Sequence, residues 1–349
     1  MRIIDLRSDT VTKPSPEMWE YIRGMDNSKL GDDVIREDPT VNELEEKAAK
    51  LVGKDSALLV ASGTQGNLVS LLSQTNPGDL ILLEELSHIY SNEVGSVARI
   101  GGLLVRTYPS IRGTPSITQL EDLMSDKNDI HQPPTSLISI ENTHNFHGGA
   151  VIKPDTIKNL KSLVMENNLK LHLDGARLFN AAVALDVPAT EITQNVDSVM
   201  FCLSKGLSCP VGSIVAGSKD FIQKARKYRK MLGGGMRQAG IIAAFGLVAL
   251  EDKWIKRLKE DHKNARKLSE EVKKYDLPLK IYQTDTNILI IQLLGKFRIS
   301  KIMNELNKEG ILAYNISKDQ IRFVTHYGIT EDDINYSIDK IGNILKKFL

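Results

Sequence analysis

The sequence predicts an α/β fold, with a large, mostly parallel sheet followed by a smaller α+β region. Three observations carry this. Short apolar runs alternate with amphipathic stretches of helical period through most of the chain. The runs are continuously apolar, as strands covered on both faces must be, whereas half-exposed strands alternate. After Val215 the texture changes to long charged helices and a few short strands, so a second, smaller unit follows the first.

Taken in order, the expected strands are Ser56–Ala61 (SALLVA), Asp79–Leu83 (DLILL), Gly102–Val105 (GLLV), Ser136–Ile140 (SLISI), Lys170–Leu173 (KLHL), Ser198–Cys202 (SVMFC) and Ser213–Ala216 (SIVA). Their length and β-branched content favour strand over helix. Helical spacing predicts helices over Thr40–Val52, Gln65–Gln74, Ser91–Ile100, Thr118–Met124 and Lys153–Asn167. Lys219–Met231 reads as a charged helix, and Gly233–Gly235 as a break. Ala239–Tyr275 reads as one long helix, with Glu and Lys three and four apart. Beyond it, Ile288–Gln292 and Ile321–Val324 read as strands, and Ser300–Glu309 and Glu331–Phe348 as helices. The expected units are residues 1–245 and 246–349.

Composition narrows the function. With 349 residues, 41% of them hydrophobic, the chain can bury a sizeable core. A net charge of +1, with both signs interspersed, argues against an electrostatic grip on nucleic acid or anionic lipid. The basic run Lys224–Lys230 reads as a solvated helix face. Two cysteines, Cys202 and Cys209, make no disulfide framework and suggest a reducing compartment. The charged opening stretch is not a secretory signal, and no apolar run approaches a membrane span. The expectation is a soluble, cytoplasmic protein.

Four short motifs carry chemistry. Lys205 directly follows the apolar strand Ser198–Leu203 and precedes a loop of small residues. A desolvated lysine is a good Schiff-base nucleophile; equally, it is a lysine that snorkels out at a strand end. Asp174 ends another strand and is followed by Gly175 and Ala176. There a carboxylate can hold a cofactor's pyridine nitrogen protonated, or can simply cap a helix. Ser62-Gly63-Thr64 follows a strand and opens a helix, which makes an anion cradle or an ordinary N-cap. His88 could stack on a cofactor ring or be a satisfied structural histidine. Each motif is weak alone. In combination, every one lies at or just past the carboxyl end of an expected strand, where such folds bind ligands. No GxGxxG follows any strand, so a nicotinamide dehydrogenase is a poor fit.

With these residues in place, the chain resembles the low-specificity threonine aldolases, within the fold-type-I, aspartate-aminotransferase-like pyridoxal-phosphate enzymes. The likeness covers nearly the whole chain. It is clearest in Asp5–Lys13 (DLRSDTVTK), Gly31–Thr40 (GDDVIREDPT), Glu141–Asn145 (ENTHN), His172–Asn180 (HLDGARLFN), Met200–Gly212 (MFCLSKGLSCPVG), Lys230–Gln238 (KMLGGGMRQ) and Arg322–His326 (RFVTH).

The resemblance implies pyridoxal 5'-phosphate as cofactor, with Lys205 as the Schiff-base lysine, Asp174 at the pyridine nitrogen and His88 stacked on the ring. It implies Gly63 and Thr64 at the phosphate, and Arg177 beside the ring's phenolic oxygen and the substrate carboxylate. Ser8 and Arg322 match the pair that grips the α-carboxylate, Arg322 with a fork that suits a planar carboxylate. His131 matches a histidine near the substrate's β-hydroxyl. Lys230 and Arg237 match basic residues that reach the phosphate from a neighbouring subunit, which implies a homotetramer with sites at the dimer interface. No metal is implied. From the residues alone, Ser8 reads as a turn former, Arg322 as a cross-strand ion-pair residue, and Arg237 and His131 as surface groups. Phe146-His147 departs from the family pattern. It either shapes an aldehyde pocket, with His147 as a further acid–base group, or lies on an external loop.

The reaction these roles imply is cleavage of a β-hydroxy-α-amino acid to glycine and an aldehyde, with L-threonine or L-allo-threonine as the small-molecule substrate. The alternatives are another pyridoxal-phosphate reaction on the same scaffold (β-elimination, racemisation or transamination) and a catalytically silent relative.

Overall fold

The computed structural model describes residues 2–295 and 297–348. Residues 1 and 349, the outer ends of the two expected units, lie outside the described residues. The chain opens with the two-residue strand β1 (Ile4–Asp5), then α1 (Pro16–Arg23) and α2 (Pro39–Leu51). The main sheet and its helices follow: β2 (Ser56–Val60), α3 (Gly63–Leu72), β3 (Leu80–Glu84), α4 (His88–Ser91), α5 (Ser96–Arg99), β4 (Leu104–Tyr108) and α6 (Ile117–Leu123). Next are β5 (Thr135–Glu141), α7 (Pro154–Glu166), β6 (Lys170–Asp174), α8 (Leu178–Leu185), α9 (Ala189–Thr193), β7 (Ser198–Cys202) and β8 (Ser213–Gly217). The remainder is α10 (Lys219–Met231), α11 (Gly240–Ala249), α12 (Asp252–Lys273), β9 (Leu279–Ile281), β10 (Ile288–Leu293), α13 (Ile299–Lys308), β11 (Ile311–Leu312), β12 (Tyr314–Asn315), β13 (Gln320–Val324) and α14 (Glu331–Phe348).

The main sheet has seven strands in the order β2-β8-β7-β6-β5-β3-β4. β4, β3, β5, β6 and β7 run parallel, and β8 is antiparallel to both β7 and β2. Six strands therefore share one direction. Their carboxyl ends line one edge, and the loops after β2, β3, β5, β6 and β7 converge there. All five residues of β3, β7 and β8 are buried. That burial explains the unbroken apolar runs.

The smaller sheet, β12-β13-β10-β9, is antiparallel. Its core takes Leu289, Ile291 and Phe323 from the strands and Leu268, Val272, Ile341 and Leu345 from α12 and α14. Ile4 and Leu6 join this core, because β1 pairs in parallel with β11. The N-terminal segment thus crosses to the C-terminal unit and brings Ser8 with it. The main core runs on past residue 245 through Leu247, Val248, Trp254 and Leu258. Among the described residues, no helix is long and apolar enough to cross a membrane.

Two expectations about helices are corrected. The stretch 239–275 is two helices, because Glu251 is extended (φ −75°, ψ 144°) and starts α12 afresh. The stretch 91–100 is not one helix: α4 ends at Ser91 and the single turn α5 begins at Ser96, separated where Val94 and Gly95 both take positive φ (55° and 66°).

Candidate active site

A crevice at the carboxyl edge of the main sheet is lined by Ser8, His88, Arg177, Lys205 and Arg322, with Asn145 and Glu141 between them. Five of the expected site residues therefore meet in space, although they come from the N-terminal turn, the loops after β3, β6 and β7, and β13 of the small sheet.

Lys205 follows β7 and is partly buried. Its amine makes no ion pair among the described residues, although its charge is felt by Asp9. Asp174 ends β6 and is 1% exposed. Its carboxylate accepts from the Ala176 backbone N–H at 3.0 Å and from Asn67 Nδ2 at 2.8 Å. Gly63 and Thr64 open α3, where the Ser62 hydroxyl caps the helix by accepting from the Gln65 backbone N–H at 3.2 Å. A Cβ on Gly63 would lie 2.9 Å from Cys202 Sγ, so glycine is what lets this turn sit against the end of β7. Ser62 and Thr64 remain exposed.

His88 lies between two acids. Its backbone N–H donates to Glu141 at 2.7 Å, and its Nδ1 is 2.9 Å from Glu93 Oε1. The same Glu93 oxygen accepts from Asn67. Nδ1 therefore carries a proton and donates it, which leaves Nε2 with its lone pair in the neutral ring. Burial disfavours the imidazolium, but the Glu93 hydrogen bond and the charge of Asp174 outweigh it and raise the His88 pKa.

Arg177 is buried and holds Asp9 with both tines of its fork, at 2.7 Å each. Burial alone would raise the Asp9 pKa, but the Arg177 charge and hydrogen bonds hold its carboxyl far below the ordinary range. Arg322 is also buried, 7% exposed, and donates only to the Asn145 side-chain oxygen (2.8 Å) and the Arg7 carbonyl (3.1 Å). Its Nε has no partner and it makes no ion pair among the described residues. Burial and then the positive charge of Arg177 pull its pKa down to about 10. Two guanidiniums thus face one crevice; of its carboxylates, Asp9 pairs with Arg177 and Glu141 accepts from the His88 and Asn145 backbone N–H groups, which leaves Arg322 a place for one more anion.

Other expected residues stand elsewhere. His131 lies away from the crevice of its own chain. It is exposed, its backbone N–H donating to Asp129 at 2.9 Å, on the turn before β5. That is the amino end of the strand, and a seven-residue strand separates it from the crevice edge by roughly 20 Å. Lys230 and Arg237 flank the triple-glycine loop, and both are exposed. Arg237 pairs with Asp32 at 2.6 Å while 64% of its side chain remains exposed. The loop itself reaches the phosphate-cradle helix, where a Cβ on Gly234 would strike the Gln65 side chain. His147 does not line the crevice. It is 3.1 Å from Glu84, which also takes His144, Ser110 and the Leu86 backbone N–H.

Asp9, Asn67, Glu93, Glu141 and Asn145 complete the site and were not singled out from the sequence. Asp9, Glu141 and Asn145 lie inside stretches that carry the resemblance, and Asn67 lies on the helix that the cradle motif opens. No local spacing marks their partners.

Comparison with known proteins identifies the family. Residues 5–294 match the model of the beta-eliminating lyase family. A probable low-specificity L-threonine aldolase 2 of Arabidopsis thaliana is 42% identical, covering 96% of this chain and 95% of its own. A low specificity L-threonine aldolase of Escherichia coli strain K12 is 39% identical, covering 95% and 96%. The chain belongs to the low-specificity L-threonine aldolase family. It is an enzyme, of the lyase type. A solved threonine aldolase of Leishmania major has the same fold, with a TM-score of 0.86 and 18% identity over 98% of this chain and 99% of that one. Pyridoxal phosphate is a property of the family.

Proposed function

We infer that the enzyme uses pyridoxal 5'-phosphate to cleave L-threonine, L-allo-threonine and related β-hydroxy-α-amino acids into glycine and an aldehyde. The observation that carries this is Arg322, a buried guanidinium without a carboxylate partner, beside Arg177 and a few residues of crevice from Lys205. An amino acid's α-carboxylate meets that unmatched charge.

The residues present fit the cofactor. A partly buried lysine without an ion pair, a buried acid, an imidazole and a helix N-terminus with exposed hydroxyls are the donor set such a group needs. Lys205 would hold its aldehyde carbon, Asp174 its ring nitrogen, His88 its ring face, and the α3 N-terminus with Gly63 and Thr64 its phosphate. When bound, it would supply the electron sink that lets a bond at Cα break. Arg322, Arg177 and Ser8 fix the carboxylate, and so select which Cα bond is presented for cleavage. His88 Nε2, directly or through a water, takes the β-hydroxyl proton. His131 serves there only if it comes from another copy of the chain.

By the same inference the enzyme is a homotetramer with sites at a dimer interface, Lys230 and Arg237 reaching a neighbour's phosphate. The exposure of Arg237 supports this. A cytoplasmic setting is supported by two cysteines that are free and buried. The division into residues 1–245 and 246–349 belongs to this proposal too, with the β1 segment seated on the smaller unit.

The test is to add L-threonine and L-allo-threonine to the purified enzyme and assay glycine and acetaldehyde. Equimolar products, lost in Lys205→Ala, support the reading. Asp174→Asn should keep substrate binding and lose most turnover. The family description favours one other reading, β-elimination. Pyruvate and ammonia from serine, without acetaldehyde from threonine, would move the function there.

A further inference from the structure

Behind Asp174 and His88 runs a chain of buried side chains with a fixed hydrogen-bond direction. Asn67 is fully buried on α3, and its Nδ2 lies 2.8 Å from both Glu93 Oε1 and Asp174 Oδ2. Both partners are carboxylates that accept here, so the amide nitrogen must face them and spend its two protons on them. The Asn67 oxygen then faces His172 Nε2 at 3.2 Å, so that nitrogen must be protonated. His172 Nδ1 must accept, and the Ser198 hydroxyl donates to it at 2.8 Å. Ser198 accepts in turn from Gln74 Nε2, also at 2.8 Å. Each proton has one place along Gln74, Ser198, His172 and Asn67. His172 is fully buried, and burial pushes its pKa down to about 4, so the ring stays neutral in this single tautomer.

The far end of the chain holds two functional groups together. Oxygens of Glu93 and Asp174 and a nitrogen of His88 lie within 4.8 Å of one another. Two carboxylates that close repel in a buried setting, and the Asn67 amide bridges them. The shared Glu93 oxygen also receives His88 Nδ1, which fixes the ring's tautomer. A flipped amide would point an oxygen at both acids and undo both contacts.

We propose that Asn67 is a positioning residue, locked in one amide orientation by His172, that sets the Asp174 carboxylate and the Glu93–His88 pair together against the cofactor ring. The proposal rests on the pyridoxal-phosphate reading above. Asn67 touches neither substrate nor cofactor in this role and acts through the groups it holds.

The experiment is titration of the apo enzyme with pyridoxal phosphate, followed by the visible absorbance and visible circular dichroism of the bound cofactor. The variants are Asn67→Ala, His172→Leu and His172→Gln. Glutamine can donate to Asn67 and accept from Ser198 as histidine does, while leucine fills similar space and does neither. Asn67→Ala and His172→Leu should weaken cofactor binding about tenfold, the worth of one buried hydrogen bond, and flatten the dichroism that a rigidly held ring gives. His172→Gln should stay within about twofold of wild type, on the same arithmetic. Equal behaviour of the two His172 variants, or an Asn67→Ala enzyme that binds like wild type, overturns the proposal. If Asn67→Ala does not fold, the His172 pair decides alone. A wild-type enzyme with no visible band overturns the reading beneath it as well; a normal wild-type band with indifferent variants overturns only the positioning role.

Discussion

At the scale of single residues, the site depends on how two buried arginines are balanced. Asp9 is the only carboxylate paired with Arg177 among the described residues. In Asp9→Asn that guanidinium is left buried and uncompensated, which should destabilise the fold by about 3–5 kcal/mol. Urea denaturation measures it, and a loss under about 1 kcal/mol would show that Arg177 has another anchor. His172 makes a separate prediction about pH. Its folded pKa is about 4, whereas the unfolded chain takes this proton near 6.5. The unfolded state binds more protons as pH falls through that window, so stability drops from pH 6.5 toward pH 4, by about 3 kcal/mol in all. His172→Gln lacks this loss. Its stability relative to wild type should therefore rise by about that amount between pH 7 and pH 4, and parallel stability curves would refute the buried neutral histidine. Lys205 and Asp174 were legible in the sequence because each stands at the end of an apolar strand that fixes where it emerges, whereas Arg177 was reached only through the resemblance. Asp9 and Asn67 were not, because their partners lie 168 and 107 positions away.

At the scale of elements, α3 shows how closely helix and sheet must approach to build the phosphate cradle. A Cβ on Gly66 would lie 2.6 Å from Met200 Cγ on β7, and 3.3 Å from Val215 on β8. The helix therefore rides directly on the strand that leads to Lys205, and glycine sets the spacing. Gly66→Val should overpack this contact and cost about 1–3 kcal/mol. Cofactor affinity should fall with it, because the α3 N-terminus shifts relative to β7. A thermal melt and a cofactor titration read the two effects, and a variant as stable as wild type would show that α3 can slide without penalty. Six strands of the main sheet were readable almost to the residue, Ser198–Cys202 among them, since burial on both faces leaves only apolar choices, whereas the half-exposed edge strand β4 runs three residues past its expected end at Val105. The breaks at Val94-Gly95 and at Glu251 were not. A left-handed valine that is 98% exposed defies its own preference, and the change from the apolar α11 to the amphipathic α12 blurred the second boundary.

At the scale of the whole molecule, the crevice in one chain is well furnished at the ring and carboxylate ends and less so at the phosphate. Ser62 and Thr64 are exposed, and the nearest proposed phosphate cations, Lys230 and Arg237, are themselves exposed. A second copy supplying Arg237 would close that end, which is why the proposed assembly matters to chemistry and not only to stability. It predicts complementation. Lys205→Ala should be inactive and Arg237→Ala strongly impaired. A hybrid dimer of the two variants holds one site with both lesions and one with neither. If chains mix at random, half the dimers are hybrids with one intact site in two, so activity should recover to about a quarter of wild type. Co-expression with two affinity tags isolates the hybrid and makes the count direct. If Arg237 acts within its own chain, mixing creates no intact site, and activity stays at the average of the two parents.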